Sequence, residues 1–159
     1  MCLLMVTAMQ AEVIASGKII HKSGEDGIMG TAKIGEWSLN SAGELFVNMY
    51  GKGMKDYDES GGPWAAYADQ ITSIMVNANA IGEYAFANLP NVTKTDFTNV
   101  TSVRGDAFKG SFVPGHTVYM PLATDIGNRA FKGSNAGIII TPEAIRYGKE
   151  ACAQSRITQ

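Results

Sequence analysis

One hexad returns along this chain at nearly constant spacing, and it constrains the fold more than any other feature. The pattern is an aliphatic residue, glycine, two variable residues, alanine and phenylalanine. It reads Ile81-Gly82-Glu83-Tyr84-Ala85-Phe86 in its first copy and Ile126-Gly127-Asn128-Arg129-Ala130-Phe131 in its third. Between them, Val103-Arg104-Gly105-Asp106-Ala107-Phe108 carries its glycine one place later, and Tyr147-Gly148-Lys149-Glu150-Ala151-Cys152 is a degenerate fourth copy. The final residues lie 22, 23 and 21 positions apart. A period of this size marks a solenoid, in which each coil is too small to bury its own apolar side and does so against the next. Alanine in the fifth place lets coils approach, and phenylalanine in the sixth fills the space between them. The glycine suits either a backbone with positive φ or a close approach of two backbones.

A β-prone run precedes each hexad: Ile71 to Val76, Val92 to Phe97, Thr117 to Met120, and Ile138 to Ile140. The spacing falls in the leucine-rich-repeat range of roughly 20–29 residues. The expected fold is therefore a leucine-rich-repeat solenoid, a right-handed superhelix with a short parallel β-sheet and irregular or short helical turns. Successive strand side chains point to opposite faces. That alternation puts Ile74, Val76, Thr95, Phe97, Val118, Met120, Ile138 and Ile140 in the core. It turns Ser73, Met75, Lys94, Asp96, Thr117, Tyr119 and Ile139 outward, and these seven are the candidate ligand-binding residues.

Ahead of the repeats the pattern changes. Gly35 to Asn40 and Glu44 to Tyr50 alternate apolar and polar residues around Ser41-Ala42-Gly43, the signature of a β-hairpin with a glycine-containing loop. Pro63-Trp64 opens a short helical turn through Tyr67. A first coil needs covering, so the hairpin module is expected to be an N-terminal cap. Met1–Ala11 is apolar and ends in small residues, like the apolar part of an export signal that lacks its basic start. The expected organisation is a truncated signal over residues 1–15, a β-rich cap over 16–70, about four repeats over 71–152, and a tail over 153–159.

These residues resemble the BspA-type leucine-rich-repeat proteins, bacterial surface antigens common in anaerobes. The resemblance rests on the hexads, on Trp37–Leu45, on Gly51–Tyr57, and on Pro63-Trp64 followed by Ile71-Thr72-Ser73-Ile74. It covers roughly residues 30–152. It implies a secreted or cell-surface protein that mediates adhesion or protein–protein contact, and it brings no catalytic set with it.

Other chemistry finds little footing. A net charge of −2 offers no basic footprint for nucleic acid or anionic lipid. Cys2 and Cys152 cannot make a disulfide framework, and His21 and His116 are far apart with no flanking ligands for a metal. Asp56-Tyr57-Asp58-Glu59-Ser60-Gly61 copies the opening of a calcium loop, but Tyr67 stands where the bidentate glutamate belongs, which leaves a solvated acidic loop as the expectation. Gly51-Lys52-Gly53 lacks the strand and helix of a phosphate loop, and no serine sits in a nucleophile elbow. Asn91-Val92-Thr93 and Asn99-Val100-Thr101 fit the glycosylation sequon but are expected to be repeat-loop residues in a bacterial protein. The expected function is non-catalytic binding of an extracellular protein or glycan through the outward strand face, without metal or cofactor. The alternative is an accessory repeat domain that self-associates through its C-terminal coil, where an uncovered strand edge invites pairing.

Overall fold

The computed structural model describes residues 11–21 and 33–154. Met1–Gln10, most of the expected signal segment, and residues 155–159 lie outside the described residues. Val13 to Ala15, assigned to that segment on sequence, belong to the first strand.

Three strands form an antiparallel meander: β1 (Val13–His21), β2 (Lys33–Asn40) and β3 (Glu44–Asn48). The expected hairpin is β2–β3. Its turn is set by Asn40, whose Oδ1 accepts the N–H groups of Ala42 (3.1 Å) and Glu44 (3.0 Å), and by Gly43 at φ +79°. β3 also begins the solenoid. It runs parallel to β4 (Ser73–Asn77), which pairs with β6 (Lys94–Asp96). The sheet order is therefore β1-β2-β3-β4-β6. One face of this sheet, with Leu39, Leu45, Val47, Ile74 and Val76, is core.

The expected single repeat sheet is divided. β8 (His116–Tyr119) and β10 (Ala136–Ile140) form their own parallel pair. The Val113-Pro114-Gly115 turn leads into β8, and Pro114 has no N–H to give a ladder. Across the gap, the His116 ring hydrogen-bonds Thr95 Oγ1 at 3.1 Å and stacks on Phe112 at 5.1 Å. A further parallel sheet, absent from the sequence reading, joins the two-residue strands β5 (Ala80–Ile81), β7 (Ser102–Val103), β9 (Asp125–Ile126) and β11 (Arg146–Tyr147). The first residue of each hexad thus sits in a strand of its own.

Between coils runs a ladder of rings. Phe86 and Phe108 stack at 5.8 Å, and Phe108 and Phe131 at 5.1 Å, with interplanar angles of 14° in both pairs. Trp64 extends the ladder into the cap, stacked on Phe86 at 5.3 Å, and its Nε1 donates to the Ala85 carbonyl. All four rings are fully buried. Each phenylalanine so placed is worth roughly 1.5–3 kcal/mol of burial. Backbone bonds between coils run in two opposed directions. Phe86, Phe108 and Phe131 donate their N–H groups forward to Ala107, Ala130 and Ala151. In the second sheet Arg104, Gly127 and Gly148 donate backward to Ile81, Val103 and Ile126.

Of the two expectations for the hexad glycine, close approach is the one realised. A Cβ on Gly82 would lie 1.8 Å from the Lys55 carbonyl oxygen, and one on Gly148 2.4 Å from Asn128 N. Positive φ falls instead at the fourth place of the hexad, at Tyr84, Asp106, Arg129 and Glu150, between 52° and 56°. Four non-glycine residues hold a left-handed conformation because the coil must turn there, and local sterics alone would disfavour it.

Two outward assignments are corrected. Ser73 is only 6% exposed, because in register it lies between Glu44 and Lys94 and is too short to reach past them. Ile139 points inward and packs against the core, while Ile138 and Ile140 are 45% and 41% exposed. The cause is a bulge at Gly137, which pairs Ile139 with Val118 and slips the strand by one residue.

Candidate binding face

The outward face of the five-stranded sheet carries side chains in two transverse rows. Cross-strand register aligns Ser16, Ser38, Phe46, Met75 and Asp96 in the first row. It aligns Lys18, Glu36, Asn48 and Asn77 in the second. Phe46 is 38% exposed although it stands mid-sheet, because its neighbours in β3, Leu45 and Val47, already fill the core face. On either side of it lie depressions of about 580 and 230 Å³, which share Phe46 and Asn48 as common wall.

Local hydrogen bonds hold the polar groups. Asn77 Nδ2 donates to Asn48 Oδ1 at 2.9 Å, and the same oxygen accepts the Tyr50 N–H. Glu36 accepts the Tyr50 hydroxyl at 2.8 Å. Asp96 accepts the Thr98 hydroxyl at 2.7 Å and the Thr98 N–H at 3.1 Å, and these bonds hold its carboxyl below the usual carboxylate range. The polar groups are fixed before any ligand arrives, which lowers the ordering cost of binding.

Of the seven residues expected on the face, Met75, Lys94 and Asp96 are brought together on β4 and β6. Thr117 and Tyr119 are exposed on the separate β8–β10 pair, opposite Ile138 and Ile140. Ser73 and Ile139 do not contribute. Sequence reasoning missed Phe46, Asn48 and Asn77. Treating the hairpin only as a cap left its outer face unassigned, although Leu45, Val47 and Met49 alternate with Phe46, Asn48 and Tyr50.

On the side of the second sheet, ion pairs link coil to coil. Asp56 pairs with Arg104 at 2.7 Å, Asp106 with Arg129 at 2.6 Å, and Asp125 with Arg146. Asp106 is buried, and Arg129 grips it through both Nε and Nη2. The acidic loop is committed locally. Besides Arg104, Asp56 takes the Glu83 N–H, and Asp58 takes the Ser60 N–H. Tyr57 is half-buried against Trp64, and burial raises its phenol above the ordinary value. Cys152, half-buried in the phenylalanine place, has its thiol pushed up by the same cause. Among the described residues no helix is long and apolar enough to cross a membrane.

No family model matches the chain, and no curated protein matches it in sequence. A solved structure does resemble it: a leucine-rich-repeat protein from Eubacterium ventriosum, with a TM-score of 0.62 and 22% sequence identity. The match covers 90% of this chain and 37% of that one, so the chain spans little more than a third of its structural relative. Coil period, parallel strands, ring ladder and structural likeness agree that this chain has the solenoid fold of a bacterial leucine-rich-repeat protein.

Proposed function

We propose that the chain is a non-catalytic binding module that engages its partner through the outward face of the five-stranded sheet. One observation carries this reading: a phenylalanine exposed at mid-sheet between two depressions, ringed by polar groups already fixed by hydrogen bonds. Repeat frames present such extended faces, and exposed aromatics there contribute disproportionately to binding. Along the second sheet, Asp56, Asp106 and Asp125 are each paired with an arginine, which suits scaffolding rather than acid–base chemistry. The setting proposed is secreted or cell-surface, with adhesion to an extracellular protein or glycan as the role. Its support is the apolar leader and the resemblance to BspA-type surface proteins.

The test is binding of the 159-residue chain to arrays of extracellular-matrix proteins, extended peptides and glycans, repeated with Phe46→Ala and Lys94→Ala. Loss of a specific signal in Phe46→Ala supports the face. Signals indifferent to both substitutions would move the site elsewhere.

A second reading is favoured by a separate observation. Ile138, Ile140, Ile145 and Tyr147 are 41–82% exposed on the last described coil. β10 carries no charge or proline to block edge pairing. Self-association through this coil would appear as a mass that rises with concentration in light scattering.

A further inference from the structure

The two rows on the outward face share a spacing, and that spacing selects among ligand classes. Neighbouring strands lie about 4.8 Å apart, so the row from Ser16 to Asp96 repeats a side chain at that interval over about 19 Å. An extended peptide laid along it advances about 3.4 Å per residue and leaves register within two residues. A linear chain of β-linked pyranoses advances by close to one strand spacing per sugar, so each ring would meet one strand. The groups on offer suit hydroxyls, which both donate and accept. Asn48 and Asn77 are tied to each other through Asn48 Oδ1. That leaves the Asn48 side-chain NH₂ and the Asn77 side-chain Oδ1 without a partner among the described residues. Asp96, held by Thr98, keeps its Oδ2 for a ligand. Phe46 supplies an exposed ring. A ring face is electron-rich and attracts the polarised C–H groups on the flat side of a sugar. Charge is nearly balanced, with Lys18 opposite Glu36 in register and Asp96 in the adjoining row, so acidic sugars gain nothing.

We propose that this face is a subsite for a neutral, linear, β-linked oligosaccharide that runs across the strands. Phe46 and Asn48, both on β3, meet one sugar, and Asn77 and Asp96 take the hydroxyls of the sugars over β4 and β6. The proposal rests on the binding face inferred above and specifies what that face holds.

The experiment is saturation-transfer NMR and calorimetry of the full chain with linear β-linked gluco- and manno-oligosaccharides of two to six units. The expected result is binding that tightens at least tenfold from the disaccharide to the tetrasaccharide and then levels off. Phe46→Ala should weaken tetrasaccharide binding at least tenfold, Asn77→Ala several-fold, and Phe46→Tyr should restore it. Ile145→Ser, on the last described coil, should leave it unchanged. Because Phe46 lies on the surface, the variant is expected to stay folded, and far-UV circular dichroism checks this. If no oligosaccharide of either series binds, or if binding ignores length and Phe46, the glycan assignment is overturned. A Phe46-dependent signal from peptides or matrix proteins in the same format would then preserve the face, and silence from all of them would remove both.

Discussion

At the cap, Trp64 closes the aromatic ladder beneath a three-stranded meander. In the last described coil, Cys152 holds the same rank, next to residues that stand in solvent. The two positions are equivalent in the repeat but not in environment. Trp64 is fully buried, touches Trp37, Tyr57 and Phe86, and hydrogen-bonds the first coil. Cys152 is half-buried. The exposed large apolar residues divide accordingly. Among the described residues, Tyr119, Leu122, Ile138, Ile140, Ile145 and Tyr147 lie in the last two coils, against Val13, Ile14, Phe46 and Tyr50 in the cap. The difference teaches that a coil's stability depends less on its own residues than on what is laid against it.

The sharpest way to break that asymmetry is at the ladder. Trp64→Ala should cost about 3–5 kcal/mol, the usual loss for a buried aromatic, whereas Cys152→Ala should cost less than about 1 kcal/mol. Urea denaturation measures both, and equal losses would refute the difference in burial. Next come the contact glycines. Gly82→Ala drives a methyl into the Lys55 carbonyl between cap and coil and should cost about 1–3 kcal/mol. Gly148→Ala meets a similar clash in a coil with less packed on it, so it should cost less.

Smaller still is a pH effect at the junction of the two sheets. Burial lowers the His116 pKa, and a bond to the Thr93 backbone opposes the shift only in part. The folded state therefore binds fewer protons at this site than the unfolded chain. Stability from this group is present above the unfolded value of about 6.5 and falls as pH drops through it. Denaturation midpoints at pH 7.5 and 5 should show the decline, and His116→Gln should flatten it. The least effect is expected at Ile145, 82% exposed, where Ile145→Ser should shift stability by no more than about 0.5 kcal/mol. If it instead lowers the mass measured by light scattering at high concentration, the last described coil is a contact surface.

How much of this was legible in the sequence depended on whether a signal spanned several residues. The hexads, the β2–β3 hairpin and the core strands before the first three copies all rest on alternation or on a period, and the structure has them. Trp64 was within reach too, since it lies 22 residues before Phe86. Ile138-Ile139-Ile140 carries no polar residue to mark its faces, so the expected assignment, with Ile139 outward, is inverted by the bulge at Gly137. Two-residue strands are too short to leave a periodic trace, which hid the second sheet. The binding face was half legible: Met75, Lys94 and Asp96 came from strand alternation. Phe46 lies within the apolar run Leu45-Phe46-Val47 of the cap hairpin, so composition does not single out its outward side.

The opposed polarity of the inter-coil hydrogen bonds has a consequence for how such a chain can change length. Each coil presents both donors and acceptors to the coil on either side, donating forward at the phenylalanine place and backward in the second sheet. A duplication or loss of one whole period leaves the backbone bonding at every junction unchanged and renumbers the stack. A single inserted residue has no such freedom and must be absorbed locally, as it is at Gly137, where one extra residue turned two isoleucines from core to surface. In a molecule built this way, large insertions are conservative and small ones are not.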